Sequence, residues 1–170
     1  MNSVSVFGSR RMFAIVAMFL FLVPAAAKAQ WLPAQRLTNA ADTSFVSDVT
    51  WSVAANGDTV HTVWFDKRHG NFEIFHKRSV DGGATWSADT RLTHNAYASS
   101  TPSIALSGSA VHVVWKDERD GNLEIYYKGS TDGGVTWGTD TRLTNDFAKS
   151  WWPCIAASGT FVYAVWKDFR

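Results

Sequence analysis

The chain has 170 residues, 46% of them hydrophobic and 14% aromatic, which excludes a disordered polar chain and suits one domain of roughly 100–200 residues. Its single cysteine, Cys154, excludes an internal disulfide framework and fits an oxidising compartment only as a buried free thiol. A formal net charge of +1 provides no basic footprint for nucleic acid.

Residues 1–29 read as an export leader to be set aside before any fold reasoning. Arg10 and Arg11 form a basic start, Met12 to Val23 is apolar and uncharged, and Ala27-Lys28-Ala29 offers a peptidase site before Gln30. The apolar run is shorter than the ~20 residues that span a bilayer, so no stable membrane anchor is expected after cleavage. Ser9-Arg10-Arg11-Met12-Phe13 is similar to the twin-arginine export motif, while the very apolar core suits the general secretory route. Either route implies a bacterial protein that is periplasmic or secreted. Without Arg10, Arg11 and Lys28, 13 basic residues face 15 acidic ones, and the mature chain stands at −2.

The remaining chain is organised by a repeat. Val60-His61-Thr62-Val63-Trp64 recurs 51 residues later as Val111-His112-Val113-Val114-Trp115, and again as Val162-Tyr163-Ala164-Val165-Trp166. Residues 60–93 and 111–144 agree at 22 of 34 positions without a gap. Within the second unit, the alternation and turn residues predict strands at Ser103–Leu106, Val111–Lys116, Leu123–Lys128 and Trp137–Leu143. No helical 3.6-residue stripe occurs. The earlier segment Trp31–Thr38 matches the fourth strand, Trp86–Thr93, with no first three strands before it.

Before the fourth strand, Ser79-Val80-Asp81-Gly82-Gly83-Ala84-Thr85-Trp86 recurs as Ser130-Thr131-Asp132-Gly133-Gly134-Val135-Thr136-Trp137. An Asp there can accept hydrogen bonds from turn amides, Gly permits left-handed backbone, and Trp packs between sheets. Both copies fit Ser-x-Asp-x-Gly-x-Thr-Trp, and the chain resembles the sialidase (neuraminidase) superfamily of Asp-box, or bacterial neuraminidase repeat (BNR), β-propellers. The resemblance implies an all-β fold of four-stranded antiparallel blades. A closing strand would lie at 31–38, blades at 49–93 and 102–144, and a partial blade at 153–170. The 141 mature residues hold about 2.8 units of 51, against six blades usual in the family, so an incomplete chain is expected. A short chain building a ring from several copies is the alternative.

Periodic residues build such a scaffold, so Ser79, Asp81, Gly83, Thr85 and Trp86, with Ser130, Asp132, Gly134, Thr136 and Trp137, are expected to be structural. The series Asp66-x-Arg68, Asp117-x-Arg119 and Asp168-x-Arg170 falls on the opposite face, where its arginines either brace a turn or clamp a carboxylate sugar. Aperiodic aromatics in the connections, Phe45, Trp51, Tyr97, Phe147, Trp151 and Trp152, suit stacking on sugar rings or plugging between blades. Asp48, His94, Asp146 and Lys149 accompany them. The connection leading to the first unit is four residues longer than the next. His69, His76 and His94 lack metal-ligand spacing, so no metal or other cofactor is expected.

The resemblance implies an extracellular glycan or sialylated glycoconjugate as partner. The parent would be an exo-α-sialidase-like glycoside hydrolase, or a noncatalytic binding or assembly propeller. Family enzymes use three arginines, a Tyr–Glu nucleophile and an Asp acid/base, the first arginine usually announced by Arg-Ile-Pro before the first Asp box. Residues 30–78 contain no Arg-Ile-Pro, and Tyr126, Tyr127 and Tyr163 fall on predicted strands. This chain alone is therefore expected to be inactive, with its catalytic residues unassigned.

Overall fold

The computed structural model describes residues 33–38, 43–47 and 50–170; the leader and Trp31, Leu32 and Asp48 lie outside them. The chain divides into Met1–Gln35, of which 33–35 lack regular structure, and Arg36–Arg170. All regular structure in the described residues is β, in three antiparallel sheets, none closed into a barrel.

The first sheet holds β1 (Ser44–Phe45), β2 (Val53–Asn56), β3 (Thr59–Asp66), β4 (Glu73–Ser79) and β5 (Thr90–Arg91). The second runs in chain order through β6 (Ser99–Ser107), β7 (Ala110–Asp117), β8 (Glu124–Ser130) and β9 (Thr141–Arg142). The third is the hairpin β10 (Ser150–Ser158) and β11 (Phe161–Asp168). The β6–β7 hairpin turns at Gly108, whose φ of +59° is the left-handed conformation a two-residue turn needs.

Three sequence expectations are corrected here. The first strand of each unit begins earlier than the pattern suggested, at Ser99 and Ser150, so Trp151 and Trp152 lie in β10 and Phe45 in β1, not in connections. A bulge explains the misreading. Ser99 and Ser100 pair with Asp117 and Lys116, the register slips, and pairing resumes at Ser103 opposite Val114. β10 repeats this slip between Trp151 and Cys154, and Thr101 and Trp152 take φ of 52° and 50° at equivalent places.

The four extra residues of the first unit also sit inside this strand. β1 pairs with Asp66 and Phe65, β2 pairs from Thr62 onward, and both lie along one edge of β3. The insertion thus enlarges the bulge and splits one strand in two. Finally, the fourth strand is two residues long, because Asp89 and Asp140 leave the ladder to meet basic side chains.

β7 is buried on both faces, the reason its apolar run is nearly continuous. Val111, Val113 and Trp115 pack with Val63, Ile74, Leu92, Ile104 and Tyr126 of the first two sheets. Val114 packs with Ala105, Ile125 and Ile155 toward the third. Burying each such aliphatic side chain contributes about 1.5–3 kcal/mol. The sheets also meet along their first strands, where Ile104 N donates to Trp51 O at 2.9 Å and Ile155 N to Ser103 Oγ at 3.3 Å. Cys154 is a free thiol and half-buried, less enclosed than expected.

Candidate functional site

Register separates two ends of the sheets. Val60 pairs with Ser79 at one end of β3 and Asp66 with Glu73 at the other. Six residues at ~3.3 Å each put about 20 Å between the Asp81 turn and the Asp66 turn. The second sheet repeats this with Val111–Ser130 and Asp117–Glu124.

At the first end the two Ser-x-Asp-x-Gly-x-Thr-Trp turns close by the same bonds. Ser79 Oγ donates to Asp81 Oδ1 at 2.7 Å and accepts from Gly83 N at 2.8 Å. Thr85 gives Asp81 both its N–H, at 2.8 Å, and its hydroxyl, at 2.5 Å. Asp132 holds Thr136 and Ser130 in the same way and accepts from Val135 N as well. The Thr85 hydroxyl and amide are the chief reason the Asp81 carboxyl is lowered to about 2; Asp132 is lowered likewise through Thr136. Trp86 Nε1 donates to Gly83 O at 3.0 Å, whereas Trp137 packs edge-on to His76 of the first sheet at 5.0 Å. These carboxylates are consumed by their own turns.

At the opposite end, the sheets form a nested charge network. Asp66 is fully buried and accepts from Trp64 Nε1 at 3.0 Å and from the Arg68 guanidinium at 2.6 Å. Arg68 also reaches Asp89 at 2.7 Å, lies over the Phe75 ring at 4.3 Å, and shares Asp89 with Lys77. Asp117, Trp115, Arg119, Asp140, Tyr126 and Lys128 repeat the arrangement. Burial alone would raise Asp66 and Asp117, but hydrogen bonds from Arg68 or Arg119 and from the tryptophan outweigh it and lower both. The third copy is partial, with Arg170 meeting Asp168 at 3.0 Å while 62% exposed. Buried Glu73 and Glu124 add a second brace, each binding an arginine, Arg91 or Arg142, and a threonine, Thr93 or Thr144.

The structure thus brings each Asp-x-Arg pair together within its own sheet. Tyr97 is exposed on the connection after β5 and receives the Asn71 side chain on its carbonyl at 2.6 Å. Trp151 and Trp152 meet edge-to-face at 5.7 Å, with Lys167 over Trp152 at 5.1 Å. No described tyrosine has a glutamate partner: Tyr126 donates to Asp120 at 2.5 Å, and the Tyr127 hydroxyl sits 2.9 Å from His112 Nδ1. Burial first, and then Asp120, raises Tyr126 above the ordinary phenol range.

Two features escaped sequence reasoning. A cleft of about 510 Å³ opens at this end between the turn Asp120-Gly121-Asn122 and the connection Asn145-Asp146-Phe147, with Arg142 beneath. Asp120 and Asn145 differ from His69 and His94 one repeat earlier, which was the signal to follow. The other is a buried pair, His61 Nδ1 and His76 Nε2, 2.9 Å apart between the first sheet and the second Asp132 turn. Burial, with Arg78 nearby, lowers His61 to about 4; burial and His61 lower His76 to about 3.

Fold and site together define a class, an all-β repeat protein of antiparallel sheets with carboxylate-closed turns at one end and paired ions at the other. A scan against family models matches none. A search of curated proteins returns no relative.

Proposed function

We propose that the chain belongs to an exported Asp-box β-propeller of the sialidase kind and serves as a glycan-binding module on the face opposite its Asp boxes. The observation that carries the reading is the pair of turns at Asp81 and Asp132, closed by the same hydrogen bonds 51 residues apart. Supporting the propeller reading, neighbouring sheets touch through their first strands and share apolar faces. Export rests on the leader sequence.

A binding role is favoured over hydrolysis because Arg68 and Arg119 are each neutralised by two carboxylates within 2.7 Å. A carboxylate sugar would have to displace those partners, at a cost of several kcal/mol for the buried Asp66 or Asp117 left behind. The test is to immobilise the purified chain and present neutral, amino and sialylated oligosaccharides, with a fluorogenic sialoside assayed in parallel. Retention of glycans without sialoside turnover is expected. Turnover abolished by Arg119→Ala would overturn the binding reading in favour of an enzyme, and retention of no glycan would overturn glycan recognition itself.

A further inference from the structure

We infer that the cleft between residues 120–122 and 145–147 is a subsite for a neutral or amino sugar rather than a sialic acid. This rests on the glycan-binding reading above and narrows it to a ligand class. Three observations converge on it.

The first is aperiodicity on a periodic frame. Asn122 Nδ2 donates to Asp146 O at 2.7 Å as Asn71 donates to Asn95 O at 3.1 Å, so the backbone is held alike in both sheets. On that common frame His69, His94, Asn95 and Ala96 become Asp120, Asn145, Asp146 and Phe147. The substitutions replace two imidazoles, an amide and a methyl by two carboxylates, an amide and an aromatic ring.

The second is that Phe147 is fully exposed, packed on nothing, beside a cleft of about 510 Å³. An aromatic face next to polar groups suits the apolar C–H face of a pyranose, and the volume falls within the ~300–1,000 Å³ of small-ligand clefts.

The third is charge and hydrogen-bonding sense. Asp120 is oriented by the Tyr126 hydroxyl at 2.5 Å and by Arg142 at 3.3 Å, so its remaining lone pairs are held in fixed directions. Asp146 is fixed by Ala148 N at 3.0 Å. Both carboxylates therefore accept from ligand hydroxyl or ammonium groups. Among the described residues lining the cleft Arg142 is the one cation, and buried Glu124 at 2.8 Å already matches it; Arg170, which also acts on Asp146, is matched by Asp168 at 3.0 Å. A ligand carboxylate entering here meets net negative charge, whereas hydroxyls and an ammonium meet acceptors.

The test compares the full chain with Phe147→Ala and Asp146→Asn on one set of neutral, amino and sialylated oligosaccharides. Phe147 makes no packing contact to lose, so its variant should keep the wild-type circular dichroism and thermal midpoint. The expected result is binding of neutral or amino glycans, weakened at least tenfold by Phe147→Ala. Asp146→Asn, which retains the acceptor for Ala148 N, should lose preference for amino sugars. Glycan binding that is indifferent to Phe147→Ala, or that prefers sialylated ligands, overturns this subsite while leaving glycan recognition intact. Binding of no glycan at all overturns the underlying reading and this subsite with it.

Discussion

Acid should loosen the first sheet from the second turn, and grafting the second sheet's chemistry onto the first should halve the sensitivity. His61 and His76 are both 1% exposed, joined nitrogen to nitrogen at 2.9 Å, with Trp137 and Gly134 of the Asp132 turn against His76 and Arg78 alongside. In the second sheet His112 faces the neutral hydroxyl of Tyr127 instead. The folded values of about 4 and about 3 lie below the unfolded histidine value near 6.5. Stability from this pair is therefore complete above about pH 6.5, where neither state is protonated. It is lost as pH falls toward 4, because the unfolded chain takes up two protons the native pair refuses. Each proton costs ~1.4 kcal/mol per pH unit, so the pair loses at most about 3 kcal/mol per unit as pH falls from 6 to 4.5.

His76→Tyr alone does not transplant the pair, since a Cβ at Gly129 would lie 2.4 Å from the Tyr127 hydroxyl and the equivalent residue of the first sheet is Arg78. The double variant His76→Tyr/Arg78→Gly copies both positions. It loses the Arg78 bond to Gly133 O at 3.0 Å, an offset that does not vary with pH because arginine stays charged, and it also removes the positive charge that helps lower His61, which flattens the slope further. Urea unfolding followed by tryptophan fluorescence at pH 7, 6, 5 and 4.5 measures the slope. The variant should fall behind at pH 7 and regain about 1.4 kcal/mol per unit relative to the native chain as pH drops. Parallel stability curves for the two proteins would refute the reasoning.

Gly134→Ala should destabilise the chain far more than Gly159→Ala. Both have positive φ, worth about 1–2 kcal/mol of strain, but a Cβ at 134 lies 2.9 Å from His76 Cε1 while 159 faces open space. Thermal melts of the two variants check the order. Arg119→Ala should cost about 2–4 kcal/mol in urea unfolding. It leaves buried Asp117 without its cation, whereas Asp140 keeps Lys128 at 2.9 Å, and the 21% exposure of Arg119 keeps the loss below that of a wholly buried pair. Asp132→Asn should lower the thermal midpoint at pH 7 by removing the charge that Thr136 and Ser130 stabilise. Because the native carboxyl titrates well below its unfolded value, that deficit should begin to narrow as pH falls below about 4, which melts across pH 7 to 3 would follow.

How far the sequence reaches depends on whether a feature is periodic or requires a register. The all-β class and the position of β7, β8 and the Asp81 and Asp132 turns follow from residues that recur every 51 positions. The bulges at Thr101 and Trp152 recur as well, but the slip that defines them shows only when β6 and β10 are paired with β7 and β11. For the same reason the four-residue insertion looked like a longer connection when it enlarges a bulge. Fourth strands looked long because Trp86 and Arg91, or Trp137 and Arg142, bracket them, yet Asp89 and Asp140 turn aside to serve Arg68 and Arg119. The His61–His76 pair needs the β3–β4 register, in which Val63 faces His76, before two histidines 15 residues apart can be seen as neighbours. Phe147 stood out as aperiodic, but Asp120 becomes its companion only when turn and connection are brought together.

The most direct test of the central claim is amide chemical-shift mapping of the isotopically labelled chain, titrated with the neutral and amino oligosaccharides. Shifts should cluster at residues 117–122 and 145–149, leaving the turns at 79–86 and 130–137 unmoved. Shifts centred on the Asp81 and Asp132 turns, or none at saturating sugar, would contradict it.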